Sequence, residues 1–193
     1  MIRPFLVITA ACAAFYWFAG MELYDAIAHS LTTVSTGGFS THDASLGYYD
    51  SPAIEAIAVI FMILGAINFS VHFAAWTRFD LRAYLRNDEV RSFLGFTGII
   101  ILAATLILAL NDTYGTMHGS ARAALFTVVS VITSTGYGIA DFSAWPLMLP
   151  VLLIFISFVG GCAGSTAGGM KVIRFVVMAK QVQIEGLRLI HPN

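Results

Sequence analysis

The sequence predicts an all-α integral membrane protein made of two tandem helix–loop–helix repeats, with a broken last span. Of its 193 residues, 58% are hydrophobic and only 11% are charged, and the mean hydropathy is +0.82. Apolar runs of helix length alternate with short loops rich in threonine and glycine. Two of these loops have similar sequences and similar surroundings in the two halves of the chain. This composition excludes an ordinary soluble domain.

The first predicted element is an apolar helix over residues 5–21, preceded by Arg3. A helix rises about 1.5 Å per residue and a bilayer core is about 30 Å thick, so this run is barely long enough to span. A secretory signal peptide cleaved near residues 11–14 is the alternative. The aromatic residues 15–17 crowd that cleavage region and are typical of a membrane interface, which favours the span.

Residues 22–34 mix polar and apolar side chains and are too few to cross a bilayer as a helix. They predict a half-helix whose negative C-terminal end points at the loop that follows and favours a cation there. An amphipathic helix lying on the membrane surface is the alternative. The loop itself, residues 35–39, reads Ser-Thr-Gly-Gly-Phe.

A polar segment without lysine or arginine follows over residues 40–50, and Pro52 opens an apolar run over residues 53–76. That run predicts one continuous span. Asn68 and His72 share a face of this helix at a spacing of i and i+4. They either line a conduction path or form hydrogen bonds between helices of a bundle, and the second interpretation is favoured.

The second half of the chain repeats this layout. Residues 77–92 are a charged connector, residues 93–110 a span and residues 111–119 an outer loop, after which Ser120 is the predicted N-cap of a second half-helix. That half-helix ends at Ser-Thr-Gly-Tyr-Gly, residues 134–138. The layout divides the chain into a first repeat over residues 1–76, a linker over residues 77–92 and a second repeat over residues 93–193.

Basic side chains gather on one predicted side, which is cytoplasmic by the positive-inside rule and holds both termini. Arg122 alone is predicted on the other side. An excess of carboxylates there raises the local cation concentration, although outer loops need polar residues in any case. The basic set is Arg3, Arg78, Arg82, Arg86, Arg91, Lys171, Arg174, Lys180 and Arg188, and the acidic set is Glu22, Asp25, Asp43, Asp50, Glu55, Asp112 and Asp141.

The two glycine-bearing loops predict a cation pathway, because backbone carbonyls of such loops can replace the hydration shell of an ion. Glycine permits the dihedrals that this requires, and Gly136 and Gly138 are free to adopt them. Residues 134–138 differ at two positions from the Thr-Val-Gly-Tyr-Gly signature of potassium channels. The predicted filter, which binds K+ as the transported ion and needs no cofactor or other metal, consists of Ser35, Thr36, Gly37, Gly38, Ser134, Thr135, Gly136 and Tyr137.

The last span begins at Leu147 and is interrupted by five glycines within residues 160–169. Each glycine costs a helix about 1 kcal/mol relative to alanine, and non-helical backbone persists in a membrane only where protein buries it or water lines it. Below a filter, this stretch predicts a gate, with close packing of small residues as the alternative. A nucleotide P-loop is excluded because the Gly-Lys-Ser/Thr ending is missing. The predicted gate residues are Gly160, Gly161, Gly164, Ser165, Thr166, Gly168, Gly169 and Lys171.

Three motifs together resemble the TrkH/TrkG membrane subunits of bacterial potassium uptake, in the Trk/Ktr/HKT superfamily. They are residues 36–45, residues 135–138 and residues 160–174. The resemblance covers essentially the whole chain and implies the second and third of four helix–pore loop–helix units, that is, half of a potassium-channel-like pore in the bacterial inner membrane. It implies that Gly37 and Gly136 hold the filter glycine that goes with potassium preference. It also implies a homodimer whose gate is driven by a TrkA-type cytoplasmic nucleotide-binding regulator.

The chain departs from the family's full pattern at both ends. It begins with Met1 where a first unit should precede, and it stops at His191-Pro192-Asn193 where a fourth should follow. We expect either a fragment or two copies that pair to complete one pore. The expected surroundings are membrane lipid and these further pore repeats, with no nucleic-acid partner. In the family the gate meets a basic residue of the fourth unit, which this chain lacks.

Two other functions remain as alternatives. A non-conducting scaffold that assembles with other chains suits a half-length subunit. An intramembrane hydrolase would use Ser165 as nucleophile and His72 as base, but no third orienting group is evident and such an enzyme leaves the two filter-like loops unexplained. The sequence therefore predicts a protein that is not an enzyme.

Overall fold

The computed structural model describes residues 2–146 and 148–190, with the backbone alone for residues 78 and 187–190. Met1, Leu147, His191, Pro192, Asn193 and the side chains of Arg78 and Arg188 lie outside this description. Within the described residues, the β pairing is an isolated bridge between Val159 and Met170, so the chain is all-α as predicted. The helices are α1 Ile2–Phe18, α2 Leu23–Val34, α3 Pro52–Ala66, α4 Phe69–Arg78, α5 Arg82–Arg86, α6 Asp88–Leu110, α7 Met117–Ile132, α8 Met148–Ser157 and α9 Val172–Ile190.

The two predicted half-helices are α2 and α7, and both end at the predicted loops. Helix α7 begins earlier than the sequence suggested. Its N-cap is Thr116, whose hydroxyl accepts a hydrogen bond from the amide of Gly119 at 3.1 Å. Ser120 is therefore not the cap but a buried residue in the first turn, because Thr116 already satisfies one of the free amides at the helix start.

The single span predicted over residues 53–76 is wrong, because α3 and α4 meet at an angle of 97°. Ile67 is extended, and the side chain of Asn68 caps α4 by accepting a hydrogen bond from the amide of Ser70. Asn68 therefore lies at the break and does not share a helix face with His72. The bend frees backbone groups of α3, which the glycine-rich stretch of the last span satisfies, as described below.

The last span is broken as predicted, since α8 ends at Ser157 and α9 begins at Val172. Among the described helices, α6 alone is by itself long and apolar enough to cross a membrane, and the bent α3–α4 pair meets that criterion when joined. Helix α1 is an integral part of the fold, because Cys12 and Tyr16 are fully buried in a cluster with residues of α2 and α3. A second cluster joins α6, α7 and α8, and a third surrounds the two breaks.

Candidate ion pathway

Both loops leave their half-helices through the same hydrogen-bonded turn. The amides of Gly37 and Gly38 donate to the carbonyl of Thr32, at 2.7 and 3.3 Å. In the second half, the amides of Thr135 and Gly136 donate to the carbonyl of Ser130, at 2.9 and 3.2 Å. By backbone structure, Gly136 therefore corresponds to Gly38. The sequences of the two loops pair Gly136 with Gly37, so the correspondence of the backbones is shifted by one residue.

The backbone conformations follow the same correspondence. In the first loop, Thr36 and Gly38 have φ values of +52° and +67°. In the second, Ser134 and Gly136 have values of +59° and +85°, while Gly138 is not among the residues with positive φ. Gly136 uses the conformational freedom of glycine, and Gly138 does not use it in this way. Positive φ at a threonine and a serine is uncommon and is typical of functional sites.

Each loop contains a run of three carbonyl oxygens that accept no hydrogen bond from the described residues. The carbonyl before the first run and the carbonyls after both runs are bonded, whereas the Thr133 carbonyl before the second run also accepts no hydrogen bond from the described residues. The hydroxyl of Thr36 donates to the Ser35 carbonyl at 2.7 Å, and that of Ser130 donates to the Tyr137 carbonyl at 2.7 Å. Ser35 and Tyr137 thus border the open runs. These runs are residues Thr36, Gly37 and Gly38 in the first loop and Ser134, Thr135 and Gly136 in the second.

A hydroxyl on each half-helix holds the carbonyl that ends each run. Thr32 donates to Phe39 at 2.8 Å in the first repeat, as Ser130 donates to Tyr137 in the second. Both pairs are separated by seven residues in the chain. The sequence interpretation missed Thr32 and Ser130, although this equal spacing of a hydroxyl and an aromatic residue was available as a signal.

The glycine-rich stretch, residues 160–169, lies against the ends of both half-helices. The hydroxyl of Thr166 is 2.8 Å from the Val34 carbonyl at the end of α2 and 2.9 Å from the Gly65 carbonyl of α3. On the other side, a Cβ atom added to Gly168 would lie 3.4 Å from the side chain of Ser134. The stretch therefore contacts the inner end of each loop.

Backbone groups at the breaks of the two broken spans form hydrogen bonds with one another. The amides of Cys162 and Thr166 donate to the carbonyls of Ala66 and Gly65, and the amide of Phe69 donates to the carbonyl of Gly164. These bonds use groups that the bend between α3 and α4 leaves free. Protein atoms thus pair the non-helical backbone of both spans, as the membrane interior requires.

Further contacts fix the stretch from its flanks. The buried carboxylate of Glu89 accepts a hydrogen bond from the amide of Ala163 at 2.6 Å. The ammonium of Lys171 donates to the carbonyl of Ala167. Gly160 lies so close to Gly168 that an added Cβ would be 1.8 Å from the Gly168 carbonyl oxygen. The last of these contacts admits only glycine at residue 160.

Ser165 and His72 do not form a nucleophile and base pair. The Ser165 hydroxyl donates to the carbonyl of Cys162 at 2.6 Å. The His72 ring uses one nitrogen on the Tyr84 hydroxyl, at 2.8 Å, and the other on the Leu64 carbonyl, at 2.9 Å. His72 therefore joins helices within the bundle, which was the favoured interpretation of this residue.

Two polar clusters lie at the predicted outer side. Arg122 of α7 makes a bidentate pair with the buried carboxylate of Glu55, at 2.7 and 2.6 Å, and also reaches Asp50. Asp25 at the start of α2 accepts hydrogen bonds from the loop that follows the first filter-like run. In the segment that follows the second loop, hydrogen bonds from Ser143 lower the pKa of the exposed Asp141 carboxyl.

Comparison with known proteins gives a match to one family. A family model described as TrkH, cation transport protein, matches residues 2–193. The chain belongs to the TrkH family. Its relatives are transport proteins and not enzymes, in agreement with the prediction from the sequence.

Individual relatives match over almost all of the chain. The Trk system potassium uptake protein TrkH of Escherichia coli K12 is 44% identical over 189 residues, which are 98% of this chain and 39% of that protein. TrkH of Halomonas elongata is 48% identical with the same coverage. The crystal structure of the potassium transporter TrkH from Vibrio parahaemolyticus superposes with a TM-score of 0.93 at 46% identity, covering 97% of this chain and 41% of that one. The chain thus spans about two fifths of the length of these TrkH relatives.

Proposed function

We propose that this chain supplies two pore loops of a membrane protein that carries K+ into the cell. The observation that supports this most directly is the matched pair of open carbonyl runs, residues 36–38 and 134–136, each at the C-terminal end of a half-helix. Carbonyl oxygens without protein donors can take the place of the water around a potassium ion. The negative ends of the half-helices favour the same positive charge.

The chemistry of the outer side suits this role. The predicted outer face carries several carboxylates, and its one predicted cation, Arg122, is paired with Glu55 and Asp50. The carboxylates that remain raise the concentration of cations near the loops. Two loops make half of a ring of four, so the pore is completed by further pore repeats or by a second copy of the chain.

We propose residues 160–169 as the gate of this pore. They contact the start of both loops, at Val34 and Ser134, and protein atoms bond their backbone. Deleting residues 164–168 should raise ion flux if the stretch is a barrier. An unchanged or lower flux in correctly assembled protein would favour the packing interpretation.

The location and partners follow from the family. We propose that the protein lies in the bacterial inner membrane with both termini in the cytoplasm, works as a homodimer and is driven by a TrkA-type nucleotide-binding regulator. Labelling of single cysteines placed near residues 82 and 43 by an impermeant reagent tests the orientation. Labelling from outside at residue 43 alone agrees with it, and labelling at residue 82 alone contradicts it.

Rubidium flux into liposomes that contain the purified protein tests the central proposal. Uptake by this protein alone supports a pore made from copies of this chain, whereas uptake only after other chains are added supports a partial subunit or scaffold that needs those chains. Gly37→Ser probes the ion preference, because a Cβ at residue 37 meets nothing closer than 3.4 Å and the loop can keep its shape. Lower selectivity for rubidium over sodium is expected, and unchanged selectivity counts heavily against the proposal.

A further inference from the structure

The hydroxyl of Tyr137 crosses from the second loop to the half-helix of the first repeat. It lies 2.6 Å from the Thr32 hydroxyl, 3.2 Å from the Thr33 hydroxyl and 3.1 Å from the His29 carbonyl. The Tyr137 side chain is buried, so water does not offer an alternative partner. A residue that directly follows the open carbonyls of one loop is therefore tied to the helix that positions the other.

Tyr16 of helix α1 contacts Thr33, one of the same two threonines on α2. The Tyr16 ring is fully buried, and the Tyr16 hydroxyl lies 2.9 Å from the hydroxyl of Thr33. Tyr16 precedes the first loop by a whole helix, and its hydroxyl reaches the loops through Thr33 of α2.

A count of protons places these hydroxyls in two donor–acceptor pairs, Tyr16 to Thr33 and Tyr137 to Thr32, and the two pairs meet at the His29 carbonyl, which Thr33 and Tyr137 both reach. We call this network the chain of hydroxyls. Thr33 donates to the His29 carbonyl at 2.6 Å, so its oxygen is free to accept the proton of Tyr16. Thr32 donates to the Phe39 carbonyl, so its oxygen is free to accept the proton of Tyr137. Each hydroxyl has one proton, and in this arrangement every proton has one acceptor. A phenylalanine at either tyrosine would leave a threonine oxygen with one partner fewer, and in the case of Tyr16 that oxygen belongs to the fully buried Thr33.

We propose that Tyr16 and Tyr137 are positioning residues that fix the distance between the two runs of open carbonyls and thereby contribute to ion selectivity. The inference rests on the proposed function of those runs. Selectivity among ions of one charge depends on how carbonyls are spaced and held. The Thr32 hydroxyl holds the carbonyl that follows the first run, and it accepts a hydrogen bond from Tyr137, which follows the second run. Loosening the chain of hydroxyls therefore changes the position of both runs.

The test compares two tyrosine-to-phenylalanine variants in the intact protein. Tyr16→Phe removes a hydroxyl from the chain. Tyr114→Phe is the matched control, because the Tyr114 hydroxyl bonds the Trp145 indole in the outer loop, at 2.9 Å, and does not contact α2. The ratio of rubidium to sodium flux is measured in liposomes, beside the amount and melting temperature of the folded protein.

We expect Tyr16→Phe to lower the flux ratio by about fivefold, the size expected for one hydrogen bond of average net strength, and Tyr114→Phe to leave the ratio unchanged. Equal ratios in the unaltered protein and in Tyr16→Phe would overturn the positioning role while leaving the proposed function intact. An unaltered protein that does not distinguish rubidium from sodium would instead contradict the proposed function.

A second pair of variants serves if Tyr16→Phe does not fold. Thr33→Val removes the hydroxyl that accepts from Tyr16, and Thr33→Ser retains it. A lower flux ratio for valine with a normal ratio for serine supports the chain of hydroxyls. Equal ratios for the two variants overturn it.

Discussion

The carbonyl oxygen of Thr135 lies 1.8 Å from the point that a Cβ atom on Gly38 would occupy. The two loops therefore touch through their backbones, and this contact lies within both runs of open carbonyls. Gly38 also has a φ of +67°, which side chains disfavour. Space and conformation together require glycine at residue 38.

Gly38→Ala should abolish selective ion flux. The added methyl group cannot share space with the Thr135 carbonyl, so the two loops must separate. We expect a loss of rubidium over sodium selectivity, together with a destabilisation of about 1–3 kcal/mol from overpacking. Flux in liposomes and thermal unfolding in detergent measure the two effects.

Gly37→Ala is the matched control for this prediction. At residue 37, the nearest atom to an added Cβ is the Ser35 hydroxyl oxygen at 3.4 Å, and the φ is not positive. We expect Gly37→Ala to fold with near-normal stability. A Gly37→Ala variant that is less stable than Gly38→Ala would contradict the close packing of Gly38 against the Thr135 carbonyl.

The sequence predicted the order of elements well because their signals are local. Residues 22–34 are too short and too polar to span, and five glycines interrupt residues 160–169, so both features are visible without any tertiary contact. The half-helix α2, the loop after it and the broken last span appear where these signals placed them. The predicted filter and gate residues also meet in space, as the contact of Gly168 with Ser134 shows.

The features that the sequence did not predict depend on contacts between distant segments. Residues 53–76 form a largely apolar run without proline, and the bend at Ile67 is stabilised by amides of Cys162 and Thr166, which lie much later in the chain. The one-residue register of the two loops depends on which amides bond Thr32 and Ser130. No periodicity in the sequence encodes such pairings.

Loss of the Arg122 guanidinium should destabilise the fold more than loss of an exposed cation. Glu55 is 5% exposed, so Arg122→Gln leaves a buried carboxylate without its bidentate partner. Breaking a buried ion pair in this way lowers the free energy of unfolding by roughly 3–5 kcal/mol. We expect a loss at the lower end of this range because Arg122 itself is partly exposed. Arg86→Gln is the control, because its pair with Asp80 is exposed and is worth about 0–1 kcal/mol.

Thermal unfolding in detergent measures this difference, and a double variant isolates the pair. Glu55→Gln alone and Arg122→Gln alone should each destabilise the protein. The double variant should lose less than the two single losses combined, because the second change removes the unpaired charge that the first one left. Strictly additive losses would argue against the ion pair as the link between α3 and α7.

Asp25→Asn should loosen the loop that follows the first filter-like run. The Asp25 carboxylate accepts hydrogen bonds from Thr41 at 2.8 Å, His42 at 3.1 Å and Tyr49 at 2.7 Å. A neutral amide accepts more weakly and with one oxygen instead of two. We expect faster hydrogen exchange over residues 40–50. Asp43→Asn, at an exposed position in the same loop, is the control and should leave the exchange rates unchanged.

Thr166→Val should raise ion flux if the glycine-rich stretch closes the pore. Thr166 is the residue whose hydroxyl reaches both the Val34 carbonyl at the end of α2 and the Gly65 carbonyl of α3. Valine keeps nearly the same shape but cannot donate, so the two buried carbonyls lose the one proton that they share and the stretch is held less firmly.

Thr166→Ser keeps the hydroxyl and is the matched control. A net hydrogen bond is worth about 1 kcal/mol, which corresponds to a rise of about fivefold in the open population if flux is limited by opening. Rubidium efflux from preloaded liposomes, with each variant at equal protein density, measures this rise. Flux that is equal in the valine and serine variants, or lower in valine at equal folded content, would show that Thr166 does not hold the barrier shut.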